Sequence, residues 1–433
     1  MPRPAEVDLV SDFPGRRPPK IAMVVSRFPK VTETFQLREM VALGNLGVPF
    51  ELYAITHHDD GGTVQAEARD LDARANYFKR LSWEMLKAQI VWLRRNPRAY
   101  LDAWKWGITT NLTAPDFLIR TFLLVPLAAA MALRMERDGI EHVHAHFATY
   151  PTHVALVIKQ LTGLPFSFTG HAHDIQHRTE GLETKIDECE FFVTCTQYSH
   201  DQLRLFYGDK VDKKCHVVHH GIDLDQFTFR EPQPDDGERP FRMTCVATFE
   251  ECKGHEYLVE AVRLLRERGI ESELVLVGGD PPRKSSHQDT IKAQVAEAGL
   301  EDSVRFLGKR PLAEVRDWIE WSDIGVLACC RTAKGDLDGL PNVLTESLGM
   351  GRAVVSTEQP GVMELVVHGE NGLLVRTRDA PALADALEEM RRDPERRAKM
   401  GRSGHETVVR DENVIEKTQE LLRIYMERVS RPL

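Results

Sequence analysis

The chain has 433 residues, of which 42% are hydrophobic and 7% aromatic, and it carries a formal net charge of −10. Its length predicts two or three domains, each able to bury a full core. The acidic balance excludes general nucleic-acid affinity, so an anionic ligand must be held by local positive groups.

Seven cysteines without a CxxC pair read as reduced thiols of a cytosolic compartment. Cys329 and Cys330 are expected to be buried strand-end residues rather than metal ligands. The N-terminus lacks a continuous apolar run, so no signal peptide is expected. The apolar stretch from Thr121 to Leu133 is about 13 residues long and contains Pro126, whereas a bilayer needs roughly 20. It is expected to be a buried helix.

In chain order, residues 1–19 are Pro- and Arg-bearing and expected to be mobile. Residues 20–26 form a buried parallel-type strand, a loop follows, and a helix runs to Leu43. The next strand spans residues 50–55. This is the opening βαβ of a doubly wound α/β domain, whose ligand crevice lies at the carboxyl ends of the strands. Thr32 and Glu33 therefore point at that crevice, although Glu33 also suits a plain first-turn helix residue.

Between residues 77 and 106, Tyr77, Phe78, Trp83, Trp92, Tyr100, Trp104 and Trp106 alternate with Lys79, Arg80, Lys87, Arg94, Arg95, Arg98 and Lys105. Aromatics and cations on helices fit a peripheral membrane contact or a lipid-linked substrate. A solvated face over an ordinary core fits the same pattern. Next comes a strand with His142, His144 and His146 on one face. Zinc is rejected there, because no paired Cys or HExxH spacing completes a site.

A strand over residues 165–169 runs into Gly170-His171-Ala172-His173-Asp174. A histidine at a strand's carboxyl end can hydrogen-bond a sugar hydroxyl or, when charged, offset a phosphate. His171 is the stronger candidate and His173 the weaker, with a loop histidine bonded to Asp174 as the plain alternative. Residues 230–240 are polar, acidic and Pro-rich, the composition of a linker. The expected organisation is therefore an N-terminal segment (1–19), a first domain (20–229), a linker (230–240), a second domain (241–410) and a C-terminal helix (411–433).

The second half repeats the logic of the first. A strand from Phe241 leads to Glu250-Glu251-Cys252-Lys253-Gly254, an amphipathic helix from His255, and strands ending in Gly278-Gly279 and in Gly308-Lys309-Arg310. Lys253 could meet a diphosphate as a point charge, or be a surface lysine among glutamates. The stretch 335–351 reads as a glycine-bearing loop and a short helix between two strands, with Pro341 at the first helical position. Unpaired N–H groups at such a helix start form a phosphate cradle. Asp338 outside the helix and Glu346 within it could hold sugar hydroxyls on either side.

Taken in order, Thr-Gly-His, Val-Val-His-His-Gly-Ile-Asp, Lys-Gly-His-Glu-Tyr-Leu, Leu-Val-Leu-Val-Gly-Gly-Asp-Pro, Val-Arg-Phe-Leu-Gly and Asp-Gly-Leu-Pro-Asn-Val-Leu-Thr-Glu resemble the retaining glycosyltransferases of family 4. Phe-Pro-Lys-x-Thr-Glu-Thr-Phe and His-Ala-His-Phe add similarity to the bacterial exopolysaccharide or colanic-acid-type branch. The resemblance covers about residues 20 to 425 and implies a GT-B fold, two Rossmann-like domains facing across a cleft.

It further implies a nucleotide-sugar donor as co-substrate, no metal or other cofactor, and a glycan or polyprenyl-linked acceptor at the inner membrane surface. By the resemblance, Asp338 and Glu346 match the family's paired acids, contacting donor sugar and ribose. Lys253 matches the diphosphate-holding lysine, and His171 the histidine beside the sugar. The backbone of Gly308, Lys309 and Arg310 would face the base. Gly339, Leu340, Asn342 and Val343 would face the phosphates. His146 and His173 fall on the acceptor side with Thr32 and Glu33. Thr248 stands where the family usually has an arginine, with Arg283, Lys309 or Arg331 as substitutes. Pro341 removes an amide from the cradle, and Phe28-Pro29-Lys30 replaces the usual Gly-Gly loop. A nucleotide-sugar epimerase of GT-B build and a weak nucleotide- or glycan-binding subunit are the alternatives.

Overall fold

The computed structural model describes residues 12–30, 33–58, 66–79, 82–232, 237–281, 286–333 and 335–432. The chain divides into two compact units, Met1–Val218 with Ile415–Leu433, and His219–Val414. Each is built on a six-stranded parallel sheet.

In the first unit the strands are β1 (Ile21–Phe28), β2 (Phe50–His57), β3 (His142–His146), β4 (Phe166–Gly170), β5 (Phe191–Thr194) and β6 (Cys215–Val217). Their order is β2-β1-β3-β4-β5-β6, every pairing parallel. Ile21 to Val25 are wholly buried, as strands covered by helices on both faces require. The crossover helices include α1 (Thr34–Asn45), α2 (Trp83–Arg95), α3 (Pro97–Thr110), α4 (Pro115–Arg137), α5 (Tyr150–Thr162) and the short α6 (Ala172–Gln176).

The second unit holds β7 (Phe241–Val246), β8 (Ser272–Val277), β9 (Val304–Gly308), β10 (Ile324–Leu327), β11 (Ala353–Thr357) and β12 (Gly372–Val375), with helices α7 (His255–Glu267), α8 (Asn342–Gly349) and α9 (Pro360–Met363). Their order β9-β8-β7-β10-β11-β12 is the Rossmann order, and it reverses between β7 and β10. Ligands of such sheets bind at the carboxyl ends of the strands flanking that reversal.

Three expectations change. Residues 230–240 are not a linker, because their described part is fastened to the second unit. Arg230 donates its N–H to Met350 O, Arg352 bonds Arg230 O at 2.7 Å, and Arg239 forms a two-pronged ion pair with Asp323. The chain passes between units at Val218, where composition gives no break. The N-terminal segment is tied down from residue 16 onward. Arg16–Arg17 pair with Arg431–Pro432, and Arg17 bridges to Glu141 at 2.6 Å; residues 1–11 lie outside the described residues.

The aromatics of 77–106 also divide. Phe78, Trp92 and Tyr100 are buried, Trp92 donating its indole N–H to Ala129 O at 2.9 Å, while Trp83 is exposed. Arg80 lies outside the described residues.

The final helix, α10 (Val414–Val429), does return to the first unit, where Leu421, Leu422, Tyr425 and Met426 pack with Ile21, Met23 and Phe191. The apolar stretch around Pro126 lies in α4, which is long and apolar enough to cross a bilayer by length and composition. Leu124 to Ala130, apart from the half-buried Pro126, are core residues instead. All seven cysteines are free, and Cys329 and Cys330 are buried just past β10.

Candidate functional site

At the reversal point of the second sheet, the chain leaves β7, makes one 3-10 turn (Glu251–Lys253) and enters α7 through Gly254. Gly254 has φ +65°, and a Cβ there would lie 1.9 Å from the carbonyl oxygen of Ala328. The loop is thereby seated directly on the end of β10, which fixes the position of Lys253. Gly254→Ala is expected to cost about 1 to 3 kcal/mol from backbone strain, with the clash against Ala328 O adding to it, read as a lowered thermal midpoint.

Lys253 Nζ bonds the carboxylate of Asp338, which arrives from the loop after β10. Both side chains are about four-fifths buried, and Cys329 Sγ lies 3.7 Å from Asp338 Oδ2. Burial pulls the ammonium's pKa down, but the Asp338 carboxylate outweighs it and the net shift is upward. Lys253 is therefore a permanent cation at neutral pH.

The loop runs on into α8. Pro341 is the N-cap rather than the first helical residue, with φ −72° and ψ 117°. Its carbonyl accepts the Leu344 N–H at 3.1 Å, closing the first turn. At the N-cap the proline still brings no N–H, so Asn342 and Val343 are the first backbone donors at the start of α8. Gly339 and Leu340 are backed by α9, where a Cβ on Gly361 would sit 2.2 Å from Gly339 O. Glu346 is buried one turn into α8.

Gly308 ends β9 at φ +70° and accepts the Gly278 N–H at 3.0 Å. The Lys309 stem lies along Gly279, and Arg310 pairs with Glu314 at 3.5 Å. Thr248 donates its hydroxyl to Glu250 at 2.9 Å. Arg283 lies outside the described residues.

In the first unit, β4 delivers His171 to the N-cap of α6. Its backbone N–H donates to Asp174 Oδ1 at 2.6 Å, and Asp174 also accepts the Ala148 N–H. Burial pushes the Asp174 carboxyl up to about 7 and the nearby Lys185 ammonium down to about 7. Lys185 donates to Ala148 O at 2.7 Å and Glu180 O at 2.8 Å, so the His171 turn is held by a buried polar frame. The imidazole packs against Phe35 (4.8 Å between centroids) and Phe147 (4.4 Å), the latter at φ +75°.

His146 is a correction. Its ring is wholly buried behind His171, at 6.4 Å and nearly parallel, with Nε2 3.2 Å from Glu39. It cannot touch an acceptor in this state and instead supports His171. His173 faces outward and packs on His177. Glu33 pairs with Lys30 and accepts from Gln36 at 3.1 Å. Thr32 lies outside the described residues.

Glu39 and Phe35 escaped the sequence reading. Their i, i+4 spacing on α1 was the available signal, since it puts them on one face. Glu39, His144 and His146 each offer an atom within 4.8 Å of the others. Both His144 nitrogens, however, already engage the hydroxyls of Ser167 (2.8 Å) and Thr169 (3.1 Å). His142 bonds Ser167 at 2.7 Å, and burial lowers its pKa to about 3, keeping it neutral.

The sequence model for Glycosyl transferases group 1 matches residues 240–393, and that for Glycosyltransferase Family 4 matches residues 75–226. The putative colanic acid biosynthesis glycosyltransferase WcaL of Salmonella typhimurium is 31% identical over 385 residues, covering 86% of this chain and 91% of the relative. The amylovoran biosynthesis glycosyltransferase AmsK of Erwinia amylovora is 33% identical over 176 residues, 40% of this chain and 41% of the relative. Anabaena Alr3699/HepE, solved in complex with UDP and glucose, has a TM-score of 0.69 over 94% of this chain and 99% of that one, at 16% identity, a likeness of fold.

Proposed function

Because the chain belongs to glycosyltransferase family 4, in the branch that makes bacterial exopolysaccharides, and has the GT-B fold, we propose that it transfers a sugar from a nucleotide-sugar donor, with retention and without a metal ion, to a glycan or polyprenyl-linked acceptor at the inner face of the membrane. The observation that carries this reading is the Lys253–Asp338 pair beside the start of α8, at the sheet's reversal point.

A nucleoside diphosphate leaves with negative charge on its terminal phosphate. Lys253 and the N–H groups of Asn342 and Val343 are the donors set for that charge. Asp338, which shares Lys253 in the unliganded state, would turn a carboxylate oxygen to donor-sugar hydroxyls once phosphate takes the ammonium. Glu346 is assigned the ribose, His171 the sugar side, and the backbone at Gly308 to Arg310 the base. In the proposed same-face displacement, the acceptor oxygen bonds the anomeric carbon as the bond to the phosphate oxygen breaks. The acceptor's proton passes to that phosphate oxygen.

Incubation with nucleotide sugars, with and without a chelator, and NMR of the product's anomeric proton test the reading. The expected product keeps the donor's configuration at an undiminished rate in chelator. An inverted product, or activity that returns only with added metal, would refute it. Asp338→Asn is expected to retain donor binding and lose at least about tenfold in kcat, because the contact is proposed to matter most as charge develops.

A further inference from the structure

Helix α2 has two apolar faces. At about 100° per residue, Met85, Ala88 and Trp92 share one arc, and all three are buried. Trp83, Leu86, Ile90 and Leu93, spaced i, i+3, i+7, i+10, share the opposite arc. Trp83 is 76% exposed and the other three between 46% and 49%. The buried face explains why the helix sits in the fold. The second face is uncovered among the described residues, and a continuous apolar stripe of this kind marks an interaction site where scattered exposed leucines would not. On the neighbouring helices Leu101 and Phe122 are also exposed, the Phe122 ring 5.6 Å from that of Trp104.

Charge identifies the occupant. Arg94 and Lys87 fall next to Trp83 on the helical wheel, along one border of the stripe. Among the described residues, no carboxylate lies within ion-pair reach of Lys87, Arg94 or Lys105. The acids of α2 and α3 are matched already, Glu84 to Arg134 at 3.6 Å and Asp102 to Arg98 at 3.9 Å. A locally cationic rim on a chain of net charge −10 is directional. In a symmetric dimer through this face, the same patch would meet itself, setting uncompensated cations against one another. An anionic bilayer accepts both parts, with apolar side chains in the acyl boundary and cations at the headgroups.

We propose that the Trp83-Leu86-Ile90-Leu93 face of α2, rimmed by Lys87 and Arg94, docks the protein on an anionic lipid surface. The proposal draws its purpose from the lipid-linked acceptor reading, but its test is independent of transfer. The full chain is floated with phosphatidylcholine vesicles, with and without a one-third share of phosphatidylglycerol. It is expected to bind only the anionic vesicles, and less as salt is raised. Leu86→Gln with Ile90→Gln should lower partitioning at least about tenfold, and Lys87→Glu with Arg94→Glu at least about fivefold per charge. These positions are exposed, so melting temperature and donor binding should not change.

Absence of binding to anionic vesicles, or binding that neither pair of substitutions reduces, overturns the proposal. A dimer in sedimentation that the Leu86/Ile90 variant dissociates, without vesicle binding, makes the face a protein interface and overturns it too. Vesicle binding by a chain that transfers no sugar would sink only the transferase reading.

Discussion

Replacing Lys253 with methionine is expected to lower kcat/KM for sugar transfer about 10²- to 10³-fold, the range for losing one donor aimed at developing negative charge. The upper end is expected here, because Thr248 is committed to Glu250 and brings no second cation to the loop. Methionine keeps the stem's packing, so the loss isolates the charge. Asp338 would be left as a largely buried carboxylate without its partner, and the contact proposed for it with the donor sugar should loosen. The double variant Lys253→Met/Asp338→Asn is therefore expected to lose less than the product of the single losses, since coupled residues are not additive. Steady-state kinetics on the four proteins of the cycle measure this. Losses that multiply cleanly would show that the two side chains act apart.

The second large effect concerns stability. His219 Nδ1 donates to Glu412 at 2.5 Å, and Nε2 lies 3.4 Å from Glu364. Burial lowers its pKa, but the two carboxylates raise it further, to about 9 from 6.5. A group whose folded pKa is raised stabilises the fold fully below its unfolded pKa and loses that contribution as pH rises through the folded value. At pH 7 the linkage amounts to about 2 to 3 kcal/mol.

His219→Gln should remove at least that much near pH 6 to 7, since Glu412 is nearly fully buried and would lose its cation. The difference from wild type should shrink as pH approaches 9. The surrounding backbone amplifies the effect: Ile222 N–H bonds Glu412 O at 2.7 Å, and Val414 N–H bonds Ile222 O at 3.0 Å. Denaturant titrations at pH 6, 7.5 and 9 test it. A difference independent of pH would show that the charge on His219 contributes nothing.

Many of the strands were legible as short apolar runs, with β4, β8 and β9 closed by glycine, because strands buried on both faces favour apolar side chains. Asp338, Glu346 and Lys253 stood out because glycine and proline punctuate the loops that carry them. The support beneath His171 was not legible. Glu39, Phe35, Phe147 and Lys185 lie up to about 150 positions apart, and each alone looks like an ordinary helix or loop residue. The aromatics of 77–106 misled in an instructive way. Composition flagged Trp92 and Tyr100, which are core residues, together with Trp83, which is exposed, while the rest of the uncovered face belongs to Leu86, Ile90 and Leu93, which composition passes over. The helical period holds two apolar stripes, and the sequence does not say which one meets the sheet.

By itself, the sequence determined two parallel α/β units, the family, and the acid and lysine at the second sheet's reversal point. Local patterns do that because backbone geometry and burial act over a few residues at a time. Tertiary structure alone decided that the described part of residues 230–240 lies fastened to the second unit, that Pro341 caps α8 rather than entering it, and that His146 stands behind His171. These outcomes rest on hydrogen bonds and packing between segments distant in the chain, and no short window of sequence contains both partners.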